Sequence, residues 1–337
     1  MYYDLPDKIT LTISKQVSDV LENDMRMFGF CQTKPNVSGF LNTLFANFFE
    51  QFQAEQDQRL NAMNDILEKY QIKPVSKRGE LIHDLSALLY SQPVSLKKTE
   101  SKTIAYRPSK KSHADDVIRA IEQTELSKLN TTLSGYLRLM CNAYAEKRRV
   151  EREQIIFLSQ YQKLRRAISQ KKFVTIFGTN GKVYENEIPY SIEPSKDETA
   201  NYLLTKTASG AISTIHLYNI KDVRIINPKT IGQEYTFSQT DLDAFHSMIT
   251  HGVQYRFQTT NITVQFTEEG ASMFQSIKHN RPVPVREEDL ITEFDCSEEQ
   301  AFQYFRRFGK DAVVIAPVTL NERLKEFYKN AIEAYEE

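Results

Sequence analysis

The feature that most limits how this chain folds is a short repeat in its first half. Residues 37–41 read Val-Ser-Gly-Phe-Leu, and residues 133–137 read Leu-Ser-Gly-Tyr-Leu, an offset of 96 positions. Asn47-Phe48 and Ala143-Tyr144 are related by the same offset. Elements that recur in the same order at near-constant spacing indicate an internal duplication of one structural unit.

Each repeat follows a candidate strand and a candidate helix. Residues 8–13 alternate with period two, which predicts a strand with Ile9, Leu11 and Ile13 on one face. A helix capped by Ser14 and ended by Gly29 follows it. Residues 103–107 form the second candidate strand, again followed by a helix. The outline of each copy is therefore strand, helix, helix.

The rest of the first half predicts more helix. The second helix of copy one is expected over 37–52, with further helices over 55–70 and 77–90. A long polar helix over about 134–170 is expected to lead out of the second copy.

From residue 173 onward the pattern changes to short strands. They are predicted over 173–177, 183–188, 202–205, 212–217 and 223–226, with Asn180-Gly181 as a hairpin turn. Short strands at near-regular spacing predict a small closed β-barrel of the SH3/Sm-like kind.

The last third predicts alternating strands and helices. Strands are expected over 253–267, 283–285, 289–294 and 312–316, and helices over 271–278, 298–308 and 320–335. This order predicts a ferredoxin-like α+β unit. The whole chain is thus expected to be an α+β multidomain protein, with a duplicated helical domain at 1–150, a barrel with its leading helix at 151–232, and an α+β extension at 233–337.

Positive charge is concentrated in the middle of the chain. Positions 147–172 hold nine basic and two acidic residues, although the formal net charge of the whole chain is only −1. A polyanionic partner would meet this region. The competing interpretation is a solvated helix face, which is the commoner role of such a run.

Other classes of protein find little support in the sequence. No window resembles a membrane span or a signal peptide, and the three scattered cysteines fit a reducing cytoplasm. His246 and His251 lack a third metal ligand, and no phosphate-binding loop or nucleophile elbow occurs. We therefore expect no enzyme activity, no cofactor and no metal.

The duplicated unit resembles a ribbon-helix-helix module. In that family two strands pair into a ribbon that enters the DNA major groove. The resemblance implies that the two copies pair internally, with Thr103 and Ala105 also facing the groove. The residues assigned to nucleic-acid binding on the ribbon are Lys8, Thr10, Thr12 and Arg107. Few of these side chains read bases, so a role in oligomerisation alone is weighed equally.

The middle segment resembles a WYL domain. The resemblance rests on Arg-Ala-Ile at 166–168, the proline-containing loop at 188–194, Tyr-Leu at 202–203 and the Leu–Ile skeleton of 215–220, and it extends to 308–317. The usual tryptophan is absent, and His216 and Asn219 stand where the family has arginines. The resemblance implies a nucleic-acid or nucleotide-like ligand, held here by neighbouring cations and by stacking tyrosines. The assigned residues are Lys163, Arg165, Arg166, Lys171, Lys172, Tyr190, Tyr202, Lys206, His216, Tyr218, Asn219 and Arg224.

The combination of these parts resembles the WYL-domain accessory proteins of type VI-D CRISPR systems. It implies a cytoplasmic homodimer, dimerised through its terminal domains, that binds single-stranded RNA and modulates an RNA-guided RNA nuclease. One alternative is a transcriptional regulator that binds duplex DNA under control of a ligand in the barrel. A second alternative is a scaffold between protein partners.

Overall fold

A computed structural model describes residues 8–31, 33–72, 75–86, 100–109, 113–126, 129, 131–232, 234–253 and 259–336. The chain is a mixed α+β protein with a helical N-terminal part and several sheets, and it divides into two compact units, Met1–Leu158 and Ser159–Glu337. The three cysteines are unpaired. The expected boundaries at 150 and 232 stay predictions.

The first unit contains a two-stranded ribbon and a set of helices. Strands β1 (Ile9–Ser14) and β2 (Ser101–Tyr106) pair antiparallel, which confirms the predicted pairing. The helices are α1 (Lys15–Met27), α2 (Val37–Lys69), α3 (Val75–Ser86), α4 (Ala114–Ala120, continued by a π-helical turn at Ile121–Glu125), α5 (Leu133–Glu146) and α6 (Arg149–Ile156).

The repeat has the same local structure in both copies. Asn36 Oδ1 accepts from Gly39 N at 2.9 Å, and Thr132 Oγ1 accepts from Gly135 N at 3.1 Å, so each segment begins a helix with an N-cap. A Cβ atom at Gly39 would overlap the Asn36 side chain. The glycine of the repeat therefore makes room for the cap.

The core of this unit is built from equivalent positions of the two repeats. Phe40, Leu41, Leu44, Phe45 and Phe48 of α2 are buried. The residues 96 positions later on α5 are buried as well, namely Tyr136, Leu137, Met140, Cys141 and Tyr144. The two repeat segments thus contribute to one shared core.

A buried ion pair ties α1 to the later helices. Asp24 is fully buried and pairs with Arg152 Nε at 2.7 Å, and Tyr144 donates its hydroxyl to the same carboxylate at 2.8 Å. Arg152 also donates to the carbonyl of Lys147 at 2.6 Å. Because every partner is satisfied, the network holds α1, α5 and α6 in one arrangement.

Two helix predictions were wrong. The helix expected over 37–52 continues to Lys69, because no breaker interrupts it. The long helix expected over 134–170 is three helices, because the backbone is extended at Lys147 and Arg148 (ψ 151° and 153°) and leaves helical geometry again at Phe157. The helix expected over 77–90 is described as far as Ser86, and 87–90 lie outside the described residues.

The second unit begins with α7 (Leu158–Ser169) and a five-stranded antiparallel sheet. Its strands are β3 (Phe173–Gly178), β4 (Val183–Pro194), β5 (Asn201–Lys206), β6 (Ile212–His216) and β7 (Ile220–Ile226), in the order β6-β5-β4-β3-β7. A 3-10 turn, Leu217–Asn219, joins the last two strands. All five predicted strands are confirmed.

A four-stranded antiparallel sheet completes this unit. Two helices, α8 (Pro228–Ile231) and α9 (Gln239–His251), lead to it. Its strands are β8 (Thr259–Phe266), β9 (Pro284–Glu288), β10 (Ile291–Ser297) and β11 (Ala312–Ala316), in the order β11-β8-β10-β9. Its helices are α10 (Glu268–Ser276), α11 (Glu298–Phe305) and α12 (Val318–Glu336). The part of the first predicted strand at 254–258 lies outside the described residues.

Candidate nucleic-acid interface

The exposed cations of α7 lie opposite its buried face. Leu164 and Ala167 are fully buried, three residues apart, whereas Arg165 and Arg166 are exposed. The guanidinium of Arg165 lies 5.8 Å from the ring centre of Tyr161, one turn earlier. Helical periodicity therefore fixes which side of α7 presents charge to solvent. We call Arg165 and Arg166, together with Lys171 and Lys172 just beyond the end of α7, the basic helix.

A lysine occupies the left-handed position that ends α7. Lys171 has a φ of 51°, its N–H donates to Ile168 O at 3.1 Å, and the N–H of Lys172 donates to Ala167 O at 2.9 Å. Glycine is usual at such a position, because a Cβ atom makes the left-handed conformation unfavourable. The positive charge suits the C-terminal end of a helix, where the carbonyl dipoles point outward.

Two further assigned cations are found at strand β7: Lys163 of α7 contacts it, and Arg224 belongs to it. Lys163 Nζ pairs with Asp222 Oδ1 at 2.6 Å, and this hydrogen bond lowers the pKa of Asp222. Gln160 donates to Lys221 O at 3.1 Å, so α7 lies beside this edge strand. Arg224 is exposed, with its guanidinium 5.5 Å from the ring centre of Phe177.

Three ring side chains form a ladder across β5, β6 and the turn that follows. Tyr202 stacks on His216 with ring centres 5.0 Å apart and planes inclined by 19°. The ring centre of Tyr218, two residues further along the chain, lies 5.8 Å from that of His216. Tyr202 and His216 are register partners, which brings their rings together. All three side chains are half-buried, and Asn219 beside them is exposed. We call Tyr202, His216 and Tyr218 the aromatic ladder.

Two further assigned residues, Tyr190 and Lys206, are engaged in packing, and Tyr202 of the aromatic ladder packs against the same core cluster as Tyr190. Tyr190 lies face to face with Phe245 of α9 at 4.2 Å and edge to face with Phe237 at 5.4 Å. Lys206 Nζ pairs with Asp241 Oδ2 at 2.6 Å, and this bond lowers the pKa of Asp241. The sequence assigned both residues to a ligand, whereas the structure uses them to hold α9 against the sheet.

Helix α9 and its aromatic contacts were not predicted from the sequence. A local signal was present: Ser238 Oγ accepts from Asp241 N at 3.2 Å, and Asp241 accepts from Ser238 N at 2.8 Å. This is a capping box, and it starts a helix whose Phe245 and Met248 are buried.

A buried carboxylate lies within the same sheet. Glu187 on β4 is 3% exposed, and Thr205 Oγ1 donates to its Oε2 at 3.0 Å. Burial raises the pKa of Glu187 to about 7, against an ordinary value of 4.5. Nothing in the sequence alone marks Glu187, because its burial depends on the neighbouring strands.

The ribbon presents a second, separate set of assigned residues. Lys8, Thr10, Thr12 and Arg107 are all exposed, and Thr10 and Thr12 pair with Ala105 and Thr103. We call these six residues the ribbon face. Ser134 donates to Thr10 O at 2.7 Å and Arg107 N donates to Ser38 Oγ at 3.3 Å, so each helix of the repeat supports the strand of the other copy.

Two further searches concern only the described part of the chain. Within it, no group of three or more His, Cys, Asp or Glu side chains is placed to hold a metal ion. No helix in the same ranges has the length and apolar character required to cross a membrane.

Comparisons with known proteins show a similarity in fold. No protein-family model matches the chain, and no curated protein matches it. A solved structure described as "Crystal structure of a CRISPR Cas-related protein" is 17% identical, with a TM-score of 0.75 over 100% of this chain and 96% of that chain. At this identity the similarity shows a shared fold. A second structure, proteasome accessory factor B/C of Arthrobacter aurescens, is 12% identical with a TM-score of 0.28, over 82% of this chain and 46% of that one. That score is too low to establish a shared fold.

Proposed function

We propose that this protein is a non-catalytic accessory protein of a CRISPR system that binds single-stranded RNA and modulates an RNA-guided RNA nuclease. The RNA backbone would lie on the basic helix, and unpaired bases would stack on the aromatic ladder. Binding of this kind needs charge and rings that solvent can reach in part, rather than reacting groups.

The observation that carries the proposal is the contrast between paired and available cations. Lys163 and Lys206 have carboxylate partners within 2.6 Å. In the described chain, Arg166, Lys171 and Lys172 have none, and they lie within seven positions of one another. Cations that the fold does not neutralise are the ones that a phosphate backbone can recruit.

The architecture supports this assignment by analogy. We interpret the first unit as a duplicated ribbon-helix-helix module and the five-stranded sheet as a WYL domain of SH3-like topology. The four-stranded sheet, with its β-α-β-β-α-β order, is interpreted as ferredoxin-like. The fold shared with a CRISPR Cas-related protein is the basis for proposing a CRISPR effector as the partner.

Homodimerisation is proposed through the four-stranded sheet. Ile291 and Val313 are the register partners of Gln265 on its two neighbouring strands. Their side chains are 41% and 50% exposed, and that of Ile315, on the same strand as Val313, is 46% exposed. Exposed apolar side chains on a sheet face are typical of association surfaces.

Val313→Glu is expected to convert a dimer into a monomer, and light scattering measures the change in mass. Ile332→Glu on α12 is the control and is expected to leave the mass unchanged.

The ribbon favours a second candidate function. A paired ribbon with one exposed face is the element that ribbon-helix-helix proteins insert into duplex DNA. A regulator that reads duplex DNA with the ribbon face, under control of a ligand bound at the aromatic ladder, is therefore the alternative.

The two candidates are separated by a titration with labelled single-stranded RNA, single-stranded DNA and duplex DNA at physiological salt. We expect the tightest binding to single-stranded RNA. A preference for duplex DNA would overturn this function in favour of the regulator, and binding to none of the three would leave only a scaffolding role.

A further inference from the structure

A cavity of about 370 Å³ lies in the helical unit, between α1, the start of α2 and strand β2. Its walls are mainly the apolar side chains of Leu21, Met25, Val37, Phe40, Leu41 and Ile104. Small-molecule sites in proteins commonly enclose about 300–1,000 Å³ and have walls of this character. The cavity is therefore large enough for a small molecule.

The polar end of the cavity is a single ion pair. Lys102 Nζ donates to Glu22 Oε1, and Ser18 Oγ donates to the same oxygen at 3.0 Å. The side chains of Lys102 and Glu22 are 52% and 33% exposed, so both remain accessible from solvent. Among the described residues that line the cavity, Lys102 and Glu22 are the only charged ones.

The cavity exists because the two strands of the ribbon are not equivalent. Ile9, Leu11 and Ile13 of β1 all face inward and are buried. Lys102 of β2 is the register partner of Ile13, so a lysine occupies an inward-facing position of the ribbon. An apolar side chain at position 102 would fill the cavity, whereas the lysine leaves it open and places a charge at one end of it.

We propose that this cavity binds a free amino acid with a large apolar side chain. The side chain of the ligand fills the apolar space, its carboxylate binds Lys102, and its ammonium group binds Glu22. Such a zwitterion replaces the ion pair with two new charge-assisted bonds. A simple carboxylic acid would bind Lys102 and leave Glu22 without a cation. A simple amine would bind Glu22 and leave Lys102 without an anion. Both are therefore expected to bind more weakly than an amino acid.

Calorimetric titration of the full chain with L-phenylalanine, L-leucine, L-methionine and L-tryptophan tests this site. We expect at least one of them to bind. The analogues that lack the ammonium or the carboxylate of the best ligand (3-phenylpropionate and phenethylamine for phenylalanine) are expected to bind about tenfold more weakly or worse, which is the effect of one lost charged hydrogen bond. No binding of any of the four amino acids, or equal binding of either analogue, would overturn the proposal.

Variants locate the site. Lys102→Met and Glu22→Gln are expected to weaken binding about tenfold each. The matched controls are Lys15→Met and Asp19→Asn, which change exposed residues of α1. Because Lys102→Met also alters the ribbon, Val37→Phe provides a second test that fills the cavity and leaves the ion pair in place. Circular dichroism verifies the fold of each variant. Unchanged binding in folded Val37→Phe would contradict the assignment.

Discussion

The ribbon face and the basic helix are both largely exposed and both carry cations, but they differ in how the charge is arranged. On the ribbon face, Lys8 and Arg107 flank one end of the β1–β2 pair, and threonine or alanine side chains fill the rest. On the basic helix, four cations lie within eight positions at the end of α7. A phosphate backbone would therefore meet a much higher density of charge at the basic helix.

The two surfaces also differ in what the fold requires of them. Residues of the ribbon face point outward because their neighbours on each strand point into the core, so packing explains their position completely. Lys171 is explained by the fold only in part: its charge suits the C-terminal end of α7, but its left-handed backbone would be more stable with glycine. This difference indicates that packing of the core alone sets the orientation of the ribbon face, whereas the basic helix retains a charged residue at some cost in stability.

The largest effect is expected from breaking the buried ion pair that holds α1, α5 and α6 together. Arg152→Met leaves the buried carboxylate of Asp24 without its ion-pair partner. We expect the first unit to lose about 3–5 kcal/mol of unfolding free energy, the usual cost of breaking a buried pair. Denaturant unfolding monitored by circular dichroism measures this loss, with exposed Arg119→Met as the control. A loss of less than about 1 kcal/mol, typical of a surface pair, would contradict the role of this network.

The second prediction compares the two surfaces directly. Reversing two charges of the basic helix, Arg166→Glu with Lys172→Glu, is expected to weaken single-stranded RNA binding on the order of a hundredfold at low salt. The matched variant of the ribbon face, Lys8→Glu with Arg107→Glu, is expected to change the affinity by less than about threefold. Fluorescence polarisation measures both. The reverse ranking would assign nucleic-acid binding to the ribbon.

The third prediction concerns the buried Glu187 in the sheet beside the basic helix. Its pKa is raised to about 7, so the folded protein keeps this proton up to about pH 7, while the unfolded chain releases it near 4.5. Stability therefore falls as the pH rises between these values. Glu187→Gln is expected to match the wild type near pH 4 and to be more stable at pH 8, by up to about 2 kcal/mol.

Thermal unfolding across this pH range measures the difference between the wild type and Glu187→Gln. Glu185→Gln, an exposed change on the same strand, is the control. A destabilised Glu187→Gln protein at pH 8 would show that the carboxylate is held in its charged form.

The smallest effect is expected at the end of α7. Lys171→Gly should stabilise the protein by about 1 kcal/mol, because glycine accepts the left-handed backbone without strain. It should also weaken RNA binding roughly threefold, through loss of one cation. Asp289→Gly, at φ 51° on an exposed turn, is the control for the gain in stability without loss of affinity. Unchanged RNA binding by Lys171→Gly would remove the functional reason for a lysine there.

Much of the fold was predictable because its signals are local. Alternation with period two predicted β1, and short runs bounded by turn residues predicted β3 to β7. The repeat predicted the equivalence of α2 and α5. The breaks at Lys147, Arg148 and Phe157 were not predictable, because helical periodicity continues on both sides of them.

The candidate site was predictable in part. The exposure of Arg165 and Arg166 follows from the helical pattern of α7. The positions of Tyr190 and Lys206 do not, because they depend on Phe245 and Asp241, which are 55 and 35 residues further along the chain. Contacts of this range are set by tertiary packing, which a local pattern does not contain.

The central claim is that the basic helix captures RNA by charge, and the salt dependence of binding tests it most directly. If all four of its cations contact phosphates, log affinity should fall with log salt concentration with a slope of about −3 for a single strand. In the variant with Arg166→Glu and Lys172→Glu, the slope should be shallower by about 1.4. A wild-type slope near zero, or one that this variant leaves unchanged, would contradict the account.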